Sequence, residues 1–215
     1  MNDFNQSLQD LRESYDQPPL RRSELSTDPL DQFQSWMNQA VDAKLYDPNA
    51  CSLSTVDEEG RPSARAVLLK GLDKECFVFY SNYNSRKARH LAGNPHVSMH
   101  FPWFSMQRQV AVLGEVSKVE DSLAEEYFQS RPLLSRIGAW ASEQSKPLDN
   151  RETLEKSFLK AQEMYGEHPP RPPHWGGYYL DPNSIEFWQG GPNRLHDRFL
   201  YQRLEELWKI TRLNP

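Results

Sequence analysis

The sequence predicts a mainly β protein with peripheral helices (α+β), built as an antiparallel barrel with helices at its edge. Three observations lead there. Short runs rich in β-branched and aromatic residues recur through the middle and the end of the chain. Most connections between them are short. Long crossover helices, which a parallel sheet requires, are rare. The chain has 215 residues, which suits one domain or one domain with an ordered extension. Hydrophobic residues make up 37% and aromatic residues 12%, enough ring and aliphatic surface for a packed core rather than a disordered chain.

In chain order, Leu8, Leu11 and Tyr15 share a helical stripe that Pro18-Pro19 ends. Residues 1–20 carry too few apolar groups to fold alone and read as a frayed tail or a docking arm, with residues 21–215 as the folded domain. A helix is predicted from Asp28-Pro29, a capping residue followed by proline at the first helical position. Leu30, Phe33, Trp36, Met37, Ala40 and Val41 follow its inner face, and Asp47-Pro48 closes it. Residues 50–57 and 62–70 flank Asp57-Glu58-Glu59-Gly60 as a hairpin, and Cys76–Tyr80 is a third strand. Ser85 caps a helix that stops at Gly93-Asn94-Pro95. Strands at His96–Phe101 and Gln107–Val119, then helices at about 121–130 and 151–165, precede a proline-rich loop from His168 to His174. Strands return near Tyr178, at Ile185–Trp188 and at Trp208–Arg212.

The net charge of -5 argues against a dedicated nucleic-acid binder, which carries a basic face. No apolar run is long enough to cross a membrane, and residues 1–15 lack a signal-type apolar stretch, so a cytoplasmic location is expected. Cys51 and Cys76, with no CxxC, read as two buried thiols rather than a disulfide. GxGxxG, GxxxxGK and GxSxG are absent. His96 and His100 would pair over a metal on a helix, but on a strand they stand roughly 13 Å apart, so no metal site is expected.

Basic residues cluster locally in a pattern that suits small anionic ligands. In Arg65-Ala66-Val67-Leu68-Leu69-Lys70, Arg65, Val67 and Leu69 share one strand face and Lys70 lies on the other; solvated strand ends are the plain alternative. In Ser85-Arg86-Lys87, positive side chains oppose the helix dipole, a penalty that a bound phosphate reverses; an exposed basic turn is the alternative. In Ile185 to Arg198, a strand with Trp188 enters Gly190-Gly191-Pro192. It leaves with Arg194, His196 and Arg198 at alternate positions, predicted to face one way on an extended segment and to repel unless an anion joins them; a chance polar strand on the solvent face is the alternative.

The stretch Ile185–Arg198 is similar to the signature of pyridoxine/pyridoxamine 5'-phosphate oxidases. The resemblance runs from about Arg12 to Pro215. It includes Arg65–Lys70, Phe79-Tyr80-Ser81-Asn82, Ser85–Ala88, Glu126-Tyr127-Phe128, Ser130-Arg131-Pro132, Ile137–Trp140, Gln144-Ser145, Phe187–Gly191 and Trp208-Lys209-Ile210.

The resemblance implies an FMN-binding split β-barrel working as a homodimer, with FMN at the interface. By resemblance, the cofactor contacts are Arg65, Ala66, Val67, Leu68, Leu69, Lys70, Tyr80, Ser81, Arg86, Lys87, Gln109, Gln144, Ser145, Trp188 and Arg198. Lys70, Tyr127, Arg131 and Ser135 resemble the substrate-phosphate contacts, while Arg194, Leu195 and His196 resemble those at the pyridine ring, Arg194 and His196 as catalytic residues. Arg12 and Tyr15 resemble an arm that closes over the substrate as a lid, although Leu11-Arg12-Glu13-Ser14-Tyr15 departs from the family pattern around them. The reaction implied is oxidation of pyridoxine 5'-phosphate or pyridoxamine 5'-phosphate to pyridoxal 5'-phosphate. A hydride passes from C4' to the flavin, and dioxygen is then reduced to hydrogen peroxide. A flavin reductase using a nicotinamide partner, or a carrier of FMN or pyridoxal 5'-phosphate, are the alternative readings.

Overall fold

The computed structural model describes residues 3–11 and 14–215. Arg12 lies outside the described residues. Among the described residues, eight strands, β1 (Ala50–Val56), β2 (Pro62–Asp73), β3 (Cys76–Asn82), β4 (His96–Trp103), β5 (Arg108–Lys118), β6 (Trp175–Gln189), β7 (Asp197–Leu204) and β8 (Leu207–Leu213), form one sheet in the order β3-β2-β1-β4-β5-β6-β7-β8, and β3 also pairs with β6. That second pairing closes β1 to β6 into a six-stranded antiparallel barrel, so only β7 and β8 extend past it. The chain divides into two compact units whose boundaries fall just before β1 and within β4, β5 and β6.

One unit comprises Asn49–His100 and Val112–Asn183. It begins with β1 (Ala50–Val56) and β2 (Pro62–Asp73), joined through the predicted hairpin. The turn needs Gly60, whose φ is +80°, and the Asp57 carboxylate accepts the N–H groups of Glu59 and Arg61. Strand β3 (Cys76–Asn82) pairs with β2, but the register slips between Leu69 and Gly71. The slip leaves Lys70 on a bulge, which re-aims its side chain. The helix α3 (Arg86–Gly93) is capped by Ser85, whose hydroxyl accepts the Ala88 N–H. Helices α4 (Asp121–Ser130), α5 (Leu133–Ala141) and α6 (Arg151–Tyr165) follow, then the first part of β6 (Trp175–Gln189). Leu53, Phe77, Phe79, Met99, Phe128, Ile137 and Leu180 are fully buried and make this unit's core.

The other unit comprises the residues up to Pro48, with Phe101–Ala111 and Ser184–Pro215. It holds α1 (Asp3–Asp10), α2 (Pro29–Asp42), the end of β4 (His96–Trp103), the start of β5 (Arg108–Lys118), β7 (Asp197–Leu204) and β8 (Leu207–Leu213). Asp28 caps α2 by accepting the Leu30 N–H at 2.7 Å, with Pro29 at the first turn, as predicted. The core is aromatic: Trp36 meets Phe187 edge-on at 5.2 Å, and Phe33 lies 4.9 Å from Phe101.

Several local expectations are corrected. The helix α1 ends at Asp10, so Tyr15 is not on its stripe, and Val41 on α2 is exposed. The two strands expected near Tyr178 and Ile185 are one 15-residue strand, β6. Helix α5 was not anticipated, because Gly138 lies in its middle and no cap residue announces it. Cys76 is only partly buried, while Cys51 is buried; both are free thiols.

Candidate active site

In the first unit, β2, β3, α4, α5 and the start of β6 enclose a cavity of about 350 Å³. Ala66, Val67, Leu68, Lys70, Tyr80, Ser81, Lys87, Tyr127, Arg131, Ser135 and Gln144 all line it. Of the sequence-predicted contacts in this unit, Arg65, Leu69, Arg86 and Ser145 are not on its wall. Leu69 is buried, and Asn49 takes both its backbone groups at 2.9 Å. Ser145 is exposed, with φ of 71°. Arg86 is exposed at the start of α3; burial, and after it the nearby charge of Arg86, lowers the Arg65 pKa.

How the cations are held decides what the cavity can bind. The Arg65 guanidinium donates to Leu53 O and Thr55 Oγ1 at 2.9 Å and to Ser63 Oγ at 2.5 Å. Lys87 Nζ donates to Ser81 Oγ and Gln144 Oε1, both at 2.9 Å, and more distantly to Ser85 Oγ. Every one of these acceptors is neutral. Burial pulls the Lys87 pKa down to about 8, and the charge of Arg65 adds to the effect. The Arg131 guanidinium lies 4.7 Å over the Trp175 ring and 5.8 Å from Phe128, and its buried Nη1 has no hydrogen-bond partner. Among the described residues, no carboxylate pairs with Arg65, Lys70, Arg86, Lys87 or Arg131. Of these, Arg65, Lys87 and Arg131 are partly buried, and positive groups without counter-charges fit an anionic ligand such as a phosphate monoester, which accepts several N–H bonds at once.

The apolar wall is a ladder of rings. Tyr80 stacks on Tyr127 at 4.0 Å and on Trp175 at 5.3 Å, with planes 20° and 8° apart. Burial pushes the Tyr80 hydroxyl up to about 12, so it stays protonated. Such a wall suits a flat heteroaromatic ligand. Sequence reasoning assigned no role to Asn82, Gly138, Ala139, Ser142 or Trp175, which also line the cavity. Asn82, Gly138 and Ala139 sit inside motifs that were already singled out. Trp175 could have been found as a large ring at the exit of the proline-rich loop.

The other unit carries a second cluster. The ring of His196 lies 4.7 Å from Trp188 and 5.4 Å from Tyr15, and Tyr15 meets Trp188 edge-on at 5.7 Å. The Gly191 N–H donates to His196 Nδ1 at 3.2 Å, which places the ring hydrogen on Nε2. Burial, with Arg194 nearby, lowers the His196 pKa, so the imidazole is neutral at pH 7. Tyr15, Gln109 and Trp188 also border a cavity of about 550 Å³, together with Gln107 and Arg108, which the sequence reading did not name. Gln107 anchors the chain beyond Tyr15 by exchanging side-chain bonds of 3.0 Å with the N–H and carboxylate of Asp16.

The predicted single face of Arg194, His196 and Arg198 does not form. Asn193 and Arg194 have φ of 55° and 63° in a turn, which interrupts the extended run, and Arg194 and Leu195 are exposed. Arg198 is on β7 and donates to both oxygens of Glu186, at 2.7 and 3.1 Å. The expected repulsion is thus relieved by a carboxylate on the neighbouring strand, where Trp188 pairs with Arg198 in register.

Comparison with known proteins bears on both clusters. Residues 37–165 match the family described as pyridoxamine 5'-phosphate oxidase, and residues 175–215 match the pyridoxine 5'-phosphate oxidase C-terminal dimerisation region. A pyridoxine/pyridoxamine 5'-phosphate oxidase of Paraburkholderia phytofirmans is 52% identical over 97% of this chain and 99% of its own. One of Burkholderia lata is 51% identical over the same shares. Among solved structures, PhzG from Burkholderia lata 383, in complex with tetrahydrophenazine-1-carboxylic acid, superposes with a TM-score of 0.88 at 29% identity, covering 94% of this chain and all of its own. An FMN-binding protein of Nostoc punctiforme shares the fold, with a TM-score of 0.69 at 18% identity over 89% of this chain and all of its own. The chain belongs to the pyridoxine/pyridoxamine 5'-phosphate oxidase family.

Proposed function

We propose that this protein is an FMN-dependent oxidase that converts pyridoxine 5'-phosphate and pyridoxamine 5'-phosphate to pyridoxal 5'-phosphate. The observation that carries the reading is the 350 Å³ cavity, where Lys70, Lys87 and Arg131 meet a stacked aromatic wall with no carboxylate to neutralise them. The names of the 52%-identical relatives support the same chemistry. Bound FMN would supply the redox chemistry, accepting hydride from the substrate carbon and returning the two electrons to dioxygen as hydrogen peroxide; with the amine substrate, water would hydrolyse the resulting imine and ammonia would leave.

The protein's own groups bind, orient and exclude water. Arg65, Lys70, Arg86 and Lys87 serve the flavin phosphate and ribityl chain, with Ala66, Val67, Leu68, Leu69, Tyr80, Ser81, Gln109, Gln144, Ser145, Trp188 and Arg198 as further flavin contacts. Lys70, Tyr127, Arg131 and Ser135 serve the substrate phosphate. Arg194 positions the substrate ring, with Leu195 beside it, and neutral His196 offers an N–H at Nε2. Residues 1–20 act as a lid held by Tyr15, residues 21–215 form the FMN-binding domain, and the chain works as a cytoplasmic homodimer, consistent with the match to a dimerisation region.

A second reading is favoured by the superposition on PhzG: oxidation of a tricyclic carboxylate that lacks a phosphate. One experiment separates them. The purified yellow protein is mixed with pyridoxine 5'-phosphate without oxygen. Bleaching of the flavin bands, and their return in air, is the expected result. A flavin that bleaches only with a reduced phenazine carboxylate overturns the pyridoxine reading, one that bleaches only with NADH marks a reductase, and one that never bleaches marks a carrier.

A further inference from the structure

Arg171 stands in the middle of Pro169-Pro170-Arg171-Pro172-Pro173, a loop whose prolines fix the backbone on both sides. The loop is tied down at two points: the Trp140 indole N–H donates to Pro170 O at 2.7 Å, and the Trp175 N–H donates to Pro172 O at 2.9 Å. From this stiff base the Arg171 side chain, only 14% exposed, spreads over two elements. Nη2 reaches Asp121 at 2.6 Å and Nε reaches Glu125 at 3.4 Å, two carboxylates one turn apart on α4. Nη1 donates to the backbone oxygen of Trp175 at 2.7 Å, where β6 begins.

Both elements that Arg171 joins furnish walls of the cavity. Helix α4 carries Tyr127 and ends at Arg131; β6 begins with Trp175. No carboxylate holds Arg131, and the flat face of Trp175, 4.7 Å away, is what supports its guanidinium. An isolated contact of this kind is weak, so it fixes a direction only if the ring itself is fixed. The Arg171–Asp121 pair is poorly suited to a stability role, because the Asp121 side chain is 90% exposed and an exposed charge gains little from pairing. The bond to the Trp175 carbonyl is part-buried and so less discounted by solvent.

We propose that Arg171 is a positioning residue for the substrate phosphate: it locks α4 to the start of β6, so that Arg131 stands against Trp175 with its unpaired Nη1 available. The inference rests on the oxidase reading above. It makes Arg171, outside the cavity, a determinant of selectivity for phosphorylated over unphosphorylated ligands.

The test uses the FMN-loaded protein and a ligand pair that cannot be oxidised, 4'-deoxypyridoxine 5'-phosphate and 4'-deoxypyridoxine, titrated calorimetrically. Arg171→Met should weaken the phosphorylated ligand about tenfold, while the unphosphorylated one and the FMN content stay within about twofold of wild type. Arg171→Lys, which keeps the charge but reaches fewer acceptors, should fall between. Equal loss for both ligands, no loss for either, or loss of FMN from both variants overturns the proposal, because each marks a general structural role or none. Failure of the oxidase reading shows elsewhere: wild type then binds the phosphorylated ligand, yet pyridoxine 5'-phosphate does not bleach its flavin. The Arg171 effect on the ratio of affinities would still stand.

Discussion

The ring of Tyr15 fills the space where a side chain on Gly190 would begin: a Cβ added there comes within 2.8 Å of two ring carbons. Gly190 also donates its N–H to Gln107 O at 2.7 Å, so its backbone cannot easily retreat. The glycine is therefore what seats Tyr15 beside Trp188 and His196. Gly190→Ala should unseat the segment around Tyr15, at a cost of about 1–3 kcal/mol typical of overpacking. Faster proteolysis before Pro18 and a raised KM, with FMN retained, are expected. Unaltered proteolysis and KM would remove Tyr15 from the lid.

Arg194 has a strained, left-handed backbone and an exposed guanidinium with no carboxylate partner among the described residues. Arg194→Met should leave the flavin spectrum and FMN affinity unchanged while turnover falls by about a hundredfold or more, the scale of losing a charged group that orients the reacting carbon. Near-normal turnover would exclude it from the mechanism.

The pH dependence at His196 has a definite sign. Its pKa is lowered, and protonation at Nδ1 would set a proton against the Gly191 N–H. Turnover should hold steady through pH 7 and fall only as acid protonates the ring, below the ordinary histidine range near pH 6.5. His196→Asn should abolish that acid limb. An acid limb of unchanged position in the variant assigns it to another group.

Lys87 titrates in the opposite direction. Its pKa is about 8, and an anion placed on it would favour the charged form and raise that value. FMN affinity should be flat below pH 8. Above that it should weaken by about tenfold per unit until the pKa of the complex is reached. Lys87→Met should bind FMN more weakly and without this slope. A wild-type dissociation constant that ignores pH between 7 and 10 would contradict the assignment.

Thr55, fully buried, supports Arg65 through a 2.9 Å bond and also meets His90 Nδ1 at 3.2 Å. Thr55→Val keeps the shape and removes both bonds. A loss of about 1–3 kcal/mol of stability, together with about tenfold weaker FMN binding, is expected from denaturation and fluorescence titration. A Thr55→Val variant that keeps its FMN affinity would show that Arg65 needs no such support.

The barrel was legible because its strands announce themselves locally: Asp57 to Gly60 is a turn by composition, and Asp28-Pro29 and Ser85 are caps by chemistry. The cavity's cations were legible as clustered Arg and Lys. What stayed hidden depends on partners distant in sequence. Nothing near Arg198 says that Glu186, one strand away, neutralises it. The left-handed turn at Asn193-Arg194 was concealed because the strand alternation on either side of it looks continuous. Helix α5 draws its order from Ile137, buried against the rest of its unit, and not from propensity around Gly138. Trp175 acquires meaning only once Tyr80 and Tyr127 are stacked beneath it.

Arg65 is held by a carbonyl and two hydroxyls, and Lys87 by two hydroxyls and an amide. Folding thus gathers like charges with no carboxylate partner among the described residues, which costs stability that an anion would restore. An anion that binds only the folded form lifts that stability by about 2.7 kcal/mol at a hundred times its dissociation constant. The same anion that the site recognises would thus double as a fastening of the fold, reducing the fraction of chains open to proteolysis.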